Sequence, residues 1–128
     1  MNTMQQEFDA VVQHLYKQCR PASEDGTCKY RTADGLMCAV GCRIPDEMYV
    51  PEMDTNLSGV GIGIILYKFP LPAEIFAYQD MFSHLQRIHD NWSGVYGWVE
   101  IEDELRACAE KFSLTFNIPT GPTPQEPK

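Results

Sequence analysis

No run of about eighteen apolar residues occurs in this 128-residue chain, which argues against a membrane-spanning helix. Cations are scarce and scattered: ten Lys and Arg stand against eighteen Asp and Glu. Phosphate-backbone binding is driven by counterion release from clustered Lys and Arg, so direct nucleic-acid binding is not expected. No C-x-x-C pair is present, which removes the usual ligand spacing of a structural zinc site. Gly59, Gly61 and Gly63 lack the third glycine that a dinucleotide-binding turn needs, and no Gly-Lys-Ser/Thr ending marks a phosphate loop. No serine or cysteine sits in a Gly-flanked nucleophile elbow. The first ten residues are polar and acidic rather than secretory in character. The five cysteines, an odd number, fit a reducing compartment better than a disulfide framework. A cytoplasmic protein is therefore expected, with no cofactor and no metal.

What is present suffices for one core. Apolar types make up 44% of the chain and charged types 22%, which suits a single globular domain rather than a disordered chain. Residues 1–116 are expected to form that domain, and the proline-rich stretch 117–128 a flexible tail or a peptide offered to a partner. The net charge of −8 is unevenly placed. Residues 1–45 carry five acids and five bases, whereas residues 46–128 carry thirteen acids and five bases. An acidic half repels nucleic acid and attracts basic protein surfaces, although a merely solvated face is the simpler use of such charge.

Local patterns predict an α+β fold, with about three main helices around a small antiparallel hairpin. Thr3 and Gln6 have the spacing of a capping box. Phe8, Val11, Val12, Leu15 and Cys19 then recur at helical spacing, and the helix should stop before Arg20-Pro21. Ala22–Gly26 reads as a polar loop. Cys28–Val40 reads as a hairpin. A three-residue loop, Ala33-Asp34-Gly35, sets Tyr30 opposite Cys38 and Cys28 opposite Val40, with Gly35 left-handed. A two-residue turn would instead set Arg31 against Cys38. The rival is a short helix beginning in Cys38–Cys42. Ile44–Glu47 should turn before Tyr49, and Val50–Ser58 should be loop. Gly59–Phe69 fits a strand or a buried helix equally. Pro72 suits a helix start. Tyr78, Met81, Phe82, Leu85, Ile88, His89 and Trp92 mark a second main helix, Asn91–Gly97 a break, and Ile101, Leu105, Cys108, Ala109 and Phe112 the inner stripe of a third. A short sheet leaves an edge to cover, so a homodimer is conceivable.

Four sets of residues could carry function. Glu100, Glu102, Asp103 and Glu104 crowd the third helix's start, where negative charge meets the positive dipole end. They lack the spaced loop of a calcium site. Trp92, Tyr96 and Trp98 fall in the glycine-flanked break, and aromatics of this kind anchor interfaces or cap a core. These seven residues are the expected contact surface for a protein partner. Cys28, Cys38 and Cys42 could offer three thiolates, needing His84, His89 or Cys108 as a fourth ligand, but small buried cysteines are the commoner use. His89-Asp90 with some cysteine supplies the residue types of nucleophilic catalysis, without a recognisable motif. A glycine-lined pocket at Gly59–Gly63 that sequesters a nucleotide-like anion is a further alternative.

Phe8 with His14-Leu15, the block GTCKYRTADGLMCAVGCRIPDEMY (Gly26–Tyr49) and LQRIHD (Leu85–Asp90) together resemble a family of small proteins found mainly in tailed-phage and prophage genomes. The resemblance covers about two-thirds of the chain and weakens after Trp92; the glycine-rich run and the proline-rich tail depart from it. It brings no catalytic residues. It implies a phage accessory factor in the host cytoplasm that binds and inhibits a host protein, an anti-defence role of the anti-CRISPR type. A nucleic-acid-binding defence effector would then be the partner.

Overall fold

The computed structural model describes residues 1–24, 27–55, 62–94 and 96–119. The first helix, α1 (Met4–Gln18), begins as its sequence predicts. Thr3 Oγ1 accepts the Gln6 N–H at 3.1 Å, and Gln6 Oε1 accepts the Thr3 N–H at 2.8 Å. Such a cap contributes about 1 kcal/mol. Phe8, Val11, Val12, Leu15 and Tyr16 form the buried stripe. Cys19, expected on that stripe, instead ends the helix in a left-handed turn (φ 66). The turn swings Cys19 outward, and its Sγ donates to the Tyr16 carbonyl at 3.0 Å.

The β structure is smaller than expected and partly displaced. Strands β1 (Ser23–Glu24) and β2 (Thr27–Cys28) form a two-stranded antiparallel sheet, with Ser23 opposite Cys28 and Glu24 opposite Thr27. Residues expected in the Ala22–Gly26 loop thus supply a strand, while 25 and 26 lie outside the described residues. So short an edge gives little drive for strand addition.

The Cys28–Val40 hairpin keeps the expected register only near its tip. Arg31 bridges Met37, the Cys38 N–H reaches the Tyr30 carbonyl at 3.2 Å, and Gly35 is left-handed (φ 89). Beyond Cys38 the chain coils, as in the helical alternative, into a 3₁₀ turn at Gly41–Arg43. The Cys42 N–H returns to the Cys38 carbonyl at 3.0 Å, so Cys28 never meets Val40 and pairs with Ser23 instead.

Side chains supply what the short ladder lacks. Buried Asp54 accepts the Tyr30 N–H at 2.6 Å, the Arg31 N–H at 3.1 Å and the Tyr49 hydroxyl at 2.6 Å. Asp54 lies on α2 (Glu52–Thr55), a single turn within the expected Val50–Ser58 loop. From the other side α1 grips the Met37 peptide. Gln18 Oε1 accepts its N–H at 2.9 Å, and His14 Nε2 donates to its carbonyl at 2.7 Å. The Nε2–H tautomer follows from that acceptor. Burial lowers the His14 pKa, against the opposing effect of this bond.

Helices α3 (Ile62–Lys68), α4 (Ala73–Ala77), α5 (Gln79–Gly94) and α6 (Trp98–Lys111) complete the domain. The ambiguous segment is therefore helical from Ile62, while residues 56–61 lie outside the described ones. Pro72 caps α4. Helix α5 runs through most of the break expected at Asn91–Gly97; it packs chiefly on α6 and also on α3 and α4, and buries Met81, Phe82, Leu85, Ile88 and His89. The chain after α6 returns to α1: Gln5 and Thr115 exchange two hydrogen bonds of 2.9 Å, and Phe116 lies 6.5 Å from Phe8. The architecture is α+β: among the described residues, three long helices with a small antiparallel sheet. The expected tail lies, from residue 120 onward, outside the described residues. No described helix is long and apolar enough to cross a membrane.

Candidate functional site

The three cysteines weighed as zinc ligands do not converge among the described residues. Cys38 is fully buried, and its Sγ accepts the Gly41 N–H at 3.2 Å. Cys42 Sγ donates to the Ala39 carbonyl at 3.2 Å. Burial pushes the Cys38 thiol well above the ordinary thiol range, Cys42 up to about 12 and Cys108 up to about 11. His84 lies edge-on to Phe112 at 6.0 Å, its pKa lowered first by burial and then by Arg87 and Lys111. A shift from 9.0 to about 12 leaves Cys42 about a thousandfold less thiolate near neutral pH. Alkylation of the native protein should therefore modify exposed Cys19 long before Cys38, Cys42 or Cys108. Mass spectrometry of partly labelled protein checks this, and early labelling of Cys42 would contradict it.

One of the three, Cys28, does meet a histidine. Cys28 of β2 and His89 and Asp90 of α5 bring ligand-type atoms within 4.8 Å of one another. The sequence offered Cys28 and His89 among the zinc-ligand candidates and paired His89 with Asp90 and some cysteine. That Cys28 rather than Cys38 or Cys42 joins them depends on where β2 lies relative to α5, for which no local pattern exists. His89 is fully buried, and both ring nitrogens are engaged. The Ala22 N–H donates to Nε2 at 2.9 Å, which fixes that nitrogen as an acceptor. Nδ1 then carries the proton and donates to Asp90 Oδ1 at 3.1 Å. A neutral imidazole has a single ring lone pair, and the Ala22 amide occupies it. In this arrangement His89 cannot take a proton from a thiol, which argues against Cys–His catalysis, and it latches the chain ahead of β1 to α5.

The expected contact residues divide between surface and interior. Glu100, Asp103 and Glu104, with Tyr96 and Ala107, line an open hollow of about 350 Å³ along α6. Positions 100, 103, 104 and 107 share one helix face. Glu102 points toward α1, where it accepts the Tyr16 hydroxyl; burial first, and then this bond, push the Tyr16 pKa up. Because α6 begins at Trp98, only Glu100 lies in its first turn. The dipole argument therefore applies to Glu100 alone, a correction to the grouping of all four acids.

Trp98 is likewise corrected as a surface anchor. It is 3% exposed, packed edge-on to Tyr16 at 4.8 Å and against half-buried Trp92 at 5.1 Å. The spacing 98, 101, 105, 108 places it on the inner stripe, a signal present in the sequence but masked by the flanking glycine. Tyr96 alone of the three aromatics is exposed.

A second hollow, of about 490 Å³, lies beside the hairpin tip and is lined in part by Arg31, Asp46 and Tyr49. It had no sequence signal. Its cation is already engaged: Arg31 pairs with Asp46 at 2.7 Å, donates to the Ile44 carbonyl at 2.6 Å and lies 4.8 Å over the Tyr49 ring. Gly59 and Gly61, named for a nucleotide pocket, lie outside the described residues, and Gly63 is exposed on α3. Comparison with protein-family models, curated proteins and solved structures found no match.

Proposed function

We propose that this chain is a non-catalytic binding protein that sets the acidic face of α6 against a basic surface of a protein partner. The observation that carries this reading is the open hollow lined by Glu100, Asp103, Glu104 and Tyr96, with no cation among the described residues of its lining. An exposed tyrosine offers apolar contact area at small rotamer cost, and the three carboxylates supply steering and register. The resemblance to phage proteins supports the finer reading. In it, the partner is a host protein in the cytoplasm, a nucleic-acid-binding defence effector whose basic surface is occupied and thereby inhibited. The engaged lone pair of His89 favours this reading over a Cys–His enzyme.

Affinity capture from a bacterial lysate with the full chain tests it. A stoichiometric partner with a basic surface is expected. Glu100→Lys combined with Asp103→Lys should slow association about tenfold at low salt and much less at high salt, where screening removes the steering. Both residues are exposed, so the fold should survive the change. Recovery of no stoichiometric partner, or of one indifferent to the charge reversal, would overturn the reading.

A further inference from the structure

We propose that Cys28, His89 and Asp90 form a binding site for a divalent cation of the zinc class, and that an ion in this site excludes the hydrogen bond between Ala22 and His89. The donor set is one thiolate sulfur, one imidazole nitrogen and one carboxylate oxygen, a combination suited to zinc and its neighbours rather than to magnesium or calcium. The three atoms already lie within 4.8 Å of one another, and His89 Nδ1 is 3.1 Å from Asp90 Oδ1. Drawing them around an ion requires only a modest closing movement, since metal–ligand distances are about 2.0–2.3 Å. Burial is graded across the site. His89 is sealed, Cys28 is half-buried, and the Asp90 side chain is 45% exposed. An ion would enter from the aspartate side and keep a position toward solvent.

The proton inventory makes the site conditional. With Nε2 held by the Ala22 amide, Nδ1 is the nitrogen that faces the carboxylate, so Nδ1 must be the ligand. Ligation removes its proton, and a neutral ring must then carry the proton on Nε2. There it confronts the Ala22 N–H, donor against donor, and the 2.9 Å bond is lost. The thiol gives up its proton as sulfur ligates. The ring exchanges one proton for another, so one proton is released for each ion bound.

Ala22 is not a passive partner. Its carbonyl accepts the Lys29 N–H at 3.0 Å, one residue beyond Cys28, so freeing its amide loosens the base of the β1–β2 hairpin. An ill-matched partner on the outer nitrogen of a metal-bound histidine typically weakens metal affinity about 10–100-fold. The site should therefore be weak, and its occupancy should be read out as movement of the segment before β1.

Titration of the reduced full-length protein with cobalt(II) tests this. One equivalent should bind with a thiolate-to-cobalt charge-transfer band, release one proton and be displaced by zinc(II). Cys28→Ser should abolish the band, and Asp90→Asn, a change at an exposed side chain, should weaken binding at least about tenfold. Amide exchange at Ala22 should accelerate about tenfold or more when zinc is bound, as expected for an amide that has lost its only acceptor. Three results would each overturn the proposal: no thiolate band with cobalt in large excess, a band that survives Cys28→Ser, or an Ala22 amide equally protected with and without the ion.

Discussion

Replacing Gly41 with alanine should destabilise the protein by about 3 kcal/mol, lowering its thermal midpoint by roughly 12 °C for a chain of this size. A Cβ at this position would lie 2.1 Å from the Tyr30 carbonyl oxygen and 2.9 Å from its carbonyl carbon. Both are backbone atoms, so no side chain can swing away to make room. The Tyr30 peptide is itself held from two directions, by Asp54 on its N–H at 2.6 Å and by the Cys38 N–H on its carbonyl at 3.2 Å. Relief therefore requires the 3₁₀ turn to back off from the hairpin, opening the core around Cys38 and Val40. Two other glycines serve as controls. Gly35→Ala meets no atom within 4 Å but must adopt φ 89, at a cost of about 1–2 kcal/mol. Gly63→Ala also meets nothing and sits on an exposed helical face, so it should stabilise by up to about 1 kcal/mol. Thermal unfolding of the three variants checks the ranking, and a neutral Gly41→Ala would show that the turn does not press on the hairpin as described.

The features legible in the sequence are those whose causes lie within a few residues. The Thr3–Gln6 cap and the α1 stripe are local, and so is the Gly35 loop, whose register follows from refusing to set Arg31 against Cys38. The length of the hairpin is not local. It depends on Asp54, which reaches back 24 residues to the Tyr30 amide, and on a run of small residues at 38–41 that coils once Gly41 can approach Tyr30. Helix α5 overran its expected end because packing against α6 outweighs the weak helix preference of Ser93 and Gly94. The acidic face of α6 was readable as charge. Which carboxylates face outward was not, because Glu102 is drawn inward by Tyr16, a residue 86 positions away. The Cys28–His89–Asp90 cluster was only half legible for the same reason: adjacency within α5 is written in the sequence, whereas the approach of Cys28 to that pair is a product of the whole fold.

Removing the Glu7 carboxylate should cost about 3 kcal/mol, the lower end of the range for breaking a buried ion pair. Glu7 is 2% exposed and accepts a fork from Arg43, with Nε on Oε1 and Nη2 on Oε2, both at 2.9 Å, and a third bond from Asn2 Nδ2 at 2.7 Å. This pairing is the leading reason that the Arg43 pKa is raised. In Glu7→Ala the guanidinium stays behind without its partner. Its side chain is 30% exposed, so water can recover part of the loss, which is why the lower figure applies. The net worth of the pair is a separate quantity, since both ions had to be desolvated to form it. Glu7→Leu together with Arg43→Met removes both charges while keeping apolar volume between α1 and the 3₁₀ turn. That double variant should lose about 1 kcal/mol or less relative to the parent. Urea unfolding of the single and double variants separates the two quantities. If the double variant falls as far as Glu7→Ala, the fork itself holds the 3₁₀ turn against α1; if it recovers, the fork chiefly fixes where the turn sits, and apolar packing supplies the stability.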